Sequence, residues 1–143
     1  MSGFLLDTNV LSEYNKEDAP HPGVVRWIET TPESAQYLSV LTLAEIEKGI
    51  LRMEESKRRR ELERWFTEDL QQRFAGRILD FDNLVASRWA KLVAASLDAG
   101  RPLPTIDSQI AATALAHGLI LVTRNTKDFT ALGVDLLNPW HEA

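Results

Sequence analysis

The stretch Leu119-Ile120-Leu121-Val122-Thr123 sets four consecutive apolar residues between Gly118 and the polar Arg124-Asn125-Thr126. An apolar run this short, bounded by turn residues, is the signature of a strand buried on both faces, as in a parallel sheet. Similar runs recur along the chain. Phe4-Leu5-Leu6 ends at Asp7, Tyr37-Leu38-Ser39-Val40 leads into a helical pattern, Ile78-Leu79-Asp80-Phe81 follows a glycine, and Val134-Asp135-Leu136-Leu137 stops at Asn138-Pro139. Helical periodicity fills the intervals. Val24, Val25, Trp27 and Ile28 mark a short helix, and Leu43, Ile46 and Ile50 a second. Leu62, Trp65, Phe66, Leu70 and Phe74 make a third stripe, Leu84, Val85, Leu92, Val93 and Leu97 a fourth, and Ile110, Ala111, Ala114 and Leu115 a fifth, closed by Gly118. Strands alternating with helices long enough for crossovers predict an α/β fold. The expectation is a three-layer α/β/α arrangement around a mostly parallel sheet of about five strands, with residues 1–143 as a single domain.

The composition fits that reading and closes off others. Of 143 residues, 44% are apolar and 26% charged, which a disordered chain would not show. No apolar span approaches the ~18 residues of a membrane helix. The opening Met-Ser-Gly-Phe-Leu-Leu-Asp pairs no basic stretch with a long apolar run, so no signal peptide and a cytoplasmic location are expected. With no cysteine, disulfides, thiolate zinc sites and cysteine nucleophiles are excluded. A net charge of −5 is a mark against an ordinary nucleic-acid binder.

The acids that matter stand at strand ends. Asp7 follows the first apolar run, Glu45 lies in what should be the first turn of the helix after the second, and Asp107 in the first turn of a helix opening after Pro104. Asn125 and Asp128 trail the Leu119–Thr123 run. In open α/β sheets, ligands bind at the carboxyl ends of the strands. Each residue also has a plain structural explanation. Asp7-Thr8-Asn9 suits a helix cap, Thr42 with Glu45 has capping-box spacing, Asp107 complements a helix dipole, and Asn125 or Asp128 could cap the next helix.

Those explanations weaken for Asp7 and Asp107, which belong to apolar patterns and have no Lys or Arg near them in sequence. Converging carboxylates without a basic partner repel and are forced toward protonation. A hard divalent cation, Mg²⁺ or Mn²⁺, relieves that conflict and keeps waters for substrate or nucleophile. Gly49, four residues after Glu45, would leave room beside it for metal or phosphate. Such a site suits phosphoryl chemistry, in which a bound ion lowers the pKa of its water. The G-x-S-x-G elbow, the phosphate-binding P-loop and the dinucleotide fingerprint are all missing. His21, His117 and His141 share no metal-ligand spacing, and His117-Gly118 reads as a helix end.

Taken together, these segments resemble the PIN domain, and specifically the VapC/FitB-type toxins of bacterial toxin–antitoxin pairs. The carrying segments are Phe4–Glu13, Tyr37–Ile46, Phe74–Leu79, Asp107–Ala114, Leu121–Phe129 and Leu137–Trp140, in family order over nearly the whole chain. The resemblance implies a Mg²⁺- or Mn²⁺-dependent endoribonuclease restrained by a cognate VapB/FitA-like antitoxin. It places Asp7, Glu45 and Asp107 as metal-binding acids. At the fourth acidic position this chain has Asn125 with Asp128 three residues on, so Asp128 is expected to supply charge and Asn125 a neutral ligand or hydrogen bond. Asn9 and Thr123 look like residues that orient the acids.

The resemblance also implies a homodimer, contact with DNA only through the antitoxin, and no membrane role. Trp27, Ile28, Ile50, Leu51 and Met53 are the candidate lining of an antitoxin groove that takes an apolar helix. Lys57-Arg58-Arg59-Arg60 and the scattered Arg124 offer phosphate contacts, with Arg58, Arg59 and Arg124 the candidates, although interleaved glutamates also suit a solvated helix face. No aromatic series for base stacking is evident. Two rivals remain. An aspartyl-nucleophile phosphatase would want an Asp where Asn9 stands, and a receiver domain would want paired acids at the first strand end. A catalytically impaired module binding RNA or antitoxin on the same fold is the other.

Overall fold

The structure is a computed structural model, and it describes residues 2–141. Met1, Glu142 and Ala143, the ends of the expected 1–143 unit, lie outside the described residues. Five strands, β1 (Phe4–Leu6), β2 (Gln36–Ser39), β3 (Ile78–Leu79), β4 (Ile120–Val122) and β5 (Leu136–Leu137), form one sheet in the order β3-β2-β1-β4-β5. Every pairing is parallel, so the expected mostly parallel sheet is wholly so. Leu5 lies opposite Tyr37 on one side and Leu121 on the other.

Side chains alternate across this sheet, as the two-residue strand period requires. Leu6, Leu38 and Val122 enter one buried cluster with Val10, Val24, Ile28, Phe66 and Phe74. Leu5 and Leu121 enter another with Ile110, Ala111, Ala114 and Phe129. The first cluster is covered by α1 (Thr8–Tyr14), α2 (Pro22–Thr30), α3 (Val40–Leu51) and α4 (Lys57–Arg64). Trp65–Leu70 continues α4 as a π-helical segment into α5 (Gln71–Arg73). The second cluster is covered by α7 (Thr105–His117) and α8 (Thr126–Phe129), with α6 (Asn83–Asp98) packed outside α7. The result is the expected three layers.

Local chemistry sets the element ends. Ser39 caps α3, its Oγ accepting from the Leu41 amide at 3.0 Å, so Val40 opens the helix rather than ending the strand. The capping box expected from Thr42 and Glu45 therefore does not form. Thr42 is buried with its hydroxyl unpartnered among the described residues, and Glu45 sits in the second turn. Gly118 ends α7 at φ 64°, and the Leu119 amide donates to the Ala114 carbonyl at 2.9 Å, a Schellman closure that needs a left-handed residue. The apolar stripe expected on α6 is narrower than its sequence suggests. Val85 is fully buried, but Leu84 and Leu97 are each 60% exposed. As an outer layer, α6 meets the molecule along one row, Val85, Trp89 and Leu92, and Trp89 Nε1 donates to Ser108 of α7 at 2.9 Å.

The sheet order places the site. From β1 the chain moves outward through β2 and β3, then returns to the other side of β1 for β4 and β5. The carboxyl ends of β1 and β4 thus flank a topological switch point, where open α/β sheets form their crevice.

Candidate active site

The three acids expected from the sequence, Asp7, Glu45 and Asp107, come from separate parts of the chain and line one open hollow of about 470 Å³ at that crevice, with Glu13 as a fourth. Asp7 leaves the end of β1 and is 5% exposed. Glu45 comes from α3, which follows β2, and Asp107 from the first turn of α7.

Asp7 is held on both oxygens. Its Oδ1 accepts from the Thr8 amide at 2.8 Å, and its Oδ2 from the Thr123 hydroxyl at 2.8 Å and from Asn9 Nδ2 at 3.4 Å. The cap reading of Asp7 is therefore correct and incomplete, since the carboxylate that starts α1 also enters the hollow. Thr123, fully buried at the end of β4, is the hub. Besides donating to Asp7, it accepts from Asn9 Nδ2 at 3.3 Å and from the Asn125 amide at 3.1 Å. Asn9 Oδ1 accepts from the Arg124 amide at 3.3 Å, which ties the loop after β4 to α1. Glu45 Oε1 accepts from the Thr8 hydroxyl at 2.7 Å. Asp7 and Glu45 thus share Thr8, one through its amide and one through its side chain.

The charges are uncompensated. None of the ion pairs among the described residues involves Asp7, Glu45 or Asp107. Burial pushes the Asp7 carboxyl above its ordinary value, against the Thr123 and Thr8 hydrogen bonds, and the Glu45 charge adds to the rise. Burial also raises Asp107, with the charges of Asp7, Glu45 and Asp128 pushing the same way. As the side chains stand, no group of three carboxylates or imidazoles among the described residues is placed to hold a metal ion. The donor set, all carboxylate and hydroxyl oxygen, fits a hard cation.

A family model of the PIN domain matches residues 4–134. The chain belongs to the PIN-domain family. Within it, this PIN domain groups with the VapC/FitB-type toxins. It is 38% identical to VapC ribonuclease Y4jK of Sinorhizobium fredii over 97% of this chain and 99% of that protein. It is 37% identical to Toxin FitB of Neisseria gonorrhoeae, over 96% and 99%. A solved structure of FitAB bound to a DNA fragment superposes with a TM-score of 0.90 at 36% identity, over 96% of both chains.

Other expected site residues of this PIN domain fall elsewhere. Asp128 is exposed on α8 and lines a neighbouring hollow with Arg124, Asn125, Asn138 and Trp140. Its charge reaches Asp107, but its side chain does not line the acid hollow, whereas Asn125 does. Gly49 is exposed, with open space around it, and lines an apolar groove that Glu45 also borders, not the acid hollow itself. Arg58 and Arg59 do not line the acid hollow either. Arg58 pairs with Glu17, from the segment after α1, at 3.2 Å, and Arg59 with Glu63 of α4 itself at 3.1 Å. Arg124 does line it, its guanidinium 5.5 Å from the Trp140 ring centroid.

The expected partner groove is also redrawn. Ile28 is a core residue, and the half-buried Trp27 packs edge-on against Phe4 with centroids 5.1 Å apart; neither borders the apolar groove beside Glu45. Ile50 and Met53 line a groove of about 300 Å³ with Ile46, Leu62 and Trp65, while Leu51 lies outside it, 60% exposed. Thr8, Ser12, Lys16 and Glu45 border both this groove and the acid hollow.

Thr8, Ser12, Glu13, Lys16 and Trp140 line the hollow but are not among the sequence candidates, and two of them are charged: Glu13 of α1 and Lys16 just past its end. Glu13 is buried. Its Oε2 accepts from the His21 amide at 2.8 Å and its Oε1 pairs with Lys16 Nζ at 3.1 Å. Burial pushes its carboxyl up, but the His21 hydrogen bond and the Lys16 charge outweigh that and hold it below the ordinary range.

Proposed function

We propose that this PIN domain is a divalent-metal-dependent endoribonuclease acting as the toxin of a toxin–antitoxin pair. The observation that carries the reading is the convergence of Asp7, Glu45 and Asp107, uncompensated by any bonded cation among the described residues, at the switch point of a parallel sheet. Asp7, Glu45 and Asp107 would hold Mg²⁺ or Mn²⁺. When bound, the ion supplies a water of lowered pKa and a clamp on phosphate oxygens.

The chain's own part is preorganisation. Thr123 and Asn9 fix the Asp7 carboxylate, and Thr8 engages one Glu45 oxygen and leaves the other open to the hollow. Asp107 lies in the first turn of α7 as a third negative wall. Asn125 adds a neutral polar contact at the rim and Asp128 charge at longer range. Because these groups are set in place by secondary structure, little reorganisation is needed when charge develops on the phosphate.

The Sinorhizobium relative is called a ribonuclease, and FitB is a toxin whose complex with FitA binds DNA. By that likeness the partners are a VapB/FitA-like antitoxin, seated in the groove beside Glu45, an RNA substrate, and a second copy of the chain. DNA is reached through the antitoxin. The proposed location is the cytoplasm, and residues 1–143 are proposed as one domain. Among the described residues no helix is long and apolar enough to cross a membrane.

The position of Asp128 outside the hollow favours the rival reading, a catalytically impaired module of the same fold. Expression in a bacterial host separates the two. The toxin reading predicts growth arrest by the wild type, lost in Asp107→Asn. Equal growth of the two strains would favour the impaired module.

A further inference from the structure

We propose that Lys16, held in place by Glu13, is a phosphate-binding residue of the acid hollow, gripping the RNA backbone beside the metal-binding acids. This rests on the ribonuclease reading and names part of its substrate site.

A polyanionic substrate meets a hollow walled by Asp7, Glu45 and Asp107, and cations at its rim must offset that repulsion for binding to occur. Lys16 and Arg124 are the cations lining the hollow among the described residues. The three arginines of the basic run on α4 are otherwise engaged. Arg58 pairs with Glu17, Arg59 with Glu63, and Arg60 with Glu55 at 2.7 Å.

Lys16 differs from these arginines in the nature of its partner. Glu13 is 7% exposed, whereas the carboxylates that pair with Arg58, Arg59 and Arg60 are exposed. An exposed pair spends its geometry on two mobile side chains. Here one partner is fixed, because Glu13 Oε2 is bound to the His21 amide at the start of α2. The buried carboxylate acts as a bracket. It engages one of the three ammonium donors at 3.1 Å and leaves two for phosphate oxygens, on a side chain 55% exposed at the edge of the hollow. Glu13 acts through Lys16 and is a positioning residue.

The test uses the full chain. Binding of a fluorescein-labelled mixed-sequence oligoribonucleotide is followed by anisotropy across a salt series, with cleavage of total bacterial RNA and melting temperature measured on the same samples. Lys16→Met should weaken binding roughly tenfold at low salt, the loss of one charge-assisted contact. It should also flatten the slope of log affinity against log salt by about 0.7, the increment for one phosphate contact on a single strand. Lys16→Arg should restore both. Glu13→Gln keeps the His21 hydrogen bond, so its melting temperature should hold while affinity falls part-way. A wild type that cleaves RNA, beside a Lys16→Met protein of unchanged affinity and slope, overturns this inference alone. A Lys16→Met loss that Lys16→Arg fails to rescue also overturns it. A wild type that neither binds nor cleaves RNA overturns the ribonuclease reading, and this inference with it.

Discussion

Thr123 offers the sharpest test of how the hollow is built. It is fully buried at the end of β4 and its hydroxyl donates to Asp7 Oδ2 at 2.8 Å. Thr123→Val removes that hydroxyl while conserving shape. The lost bond is to a charged acceptor, worth about 1.5–3 kcal/mol. The Asn125 amide and Asn9 Nδ2 also lose an acceptor, but Asn125 is exposed, so water replaces it, and Asn9 Nδ2 keeps its bond to Asp7 Oδ2. A net cost of about 2 kcal/mol follows, a large share of a typical domain's ~5–15 kcal/mol. At about 3 °C per kcal/mol for a chain of this size, the melting temperature should fall by about 6 °C. The more specific effect is on Asp7. Thr123 is the strongest influence holding that carboxyl down against burial. Without it the Asp7 pKa rises further, and the acid limb of the kcat/KM profile for RNA cleavage should move to higher pH. Activity at neutral pH should fall by roughly 10–100-fold, as when a supporting residue of a metal site is lost. Thr123→Ser keeps the hydroxyl and should leave the acid limb in place. A Thr123→Val enzyme with an unmoved acid limb would refute the claim that this hydroxyl sets the state of Asp7.

Asp107→Asn should abolish cleavage and raise the melting temperature at pH 7. Burial and the neighbouring acids raise the folded-state pKa of Asp107, so its contribution to stability is full below the ordinary aspartate pKa of ~3.9 and is lost as pH rises through the raised value. The advantage of the Asn variant should therefore shrink in acid, as calorimetry across pH would record. Mg²⁺ or Mn²⁺ at about 100 times its Kd should stabilise the wild type by about 2.7 kcal/mol in a thermal-shift assay, and EDTA should reverse the gain. Asp7→Asn should show no such response. Gly49→Ala should stabilise the chain by about 0.5–1 kcal/mol in urea unfolding, because Gly49 is helical and a Cβ there meets nothing within 4 Å.

What could be read from the sequence followed what is local. The apolar runs at Phe4–Leu6 and Ile120–Val122 are strands because nothing else buries such short segments on two faces, and with them came the positions of Asp7 and Thr123. The pattern on α6 misled because periodicity reports apolar residues and not which layer covers them, and Leu84 and Leu97 point away from α7. The capping-box spacing at Thr42 misled because Ser39, three residues earlier, takes the cap. Charge misled at α4, where the arginines of a basic run pair with glutamates three to five residues away and with Glu17 of a distant segment. Glu13 closes a segment that carries the family resemblance, but nothing in the sequence marked it or Lys16 as part of the site. Their importance comes from the return of the chain at His21, a contact eight residues away that no spacing rule describes. The π-helical segment at Trp65–Leu70 was likewise unreadable, since its apolar stripe scans as an ordinary helix.

The measurement that bears most directly on the central claim is cleavage of total bacterial RNA by the purified chain, in Mg²⁺, Mn²⁺ or EDTA, beside Asp7→Asn. The acid hollow predicts discrete fragments with either metal, none with EDTA, and none from the variant. Wild type and Asp7→Asn giving the same products, or the wild type cleaving equally in EDTA, would contradict it.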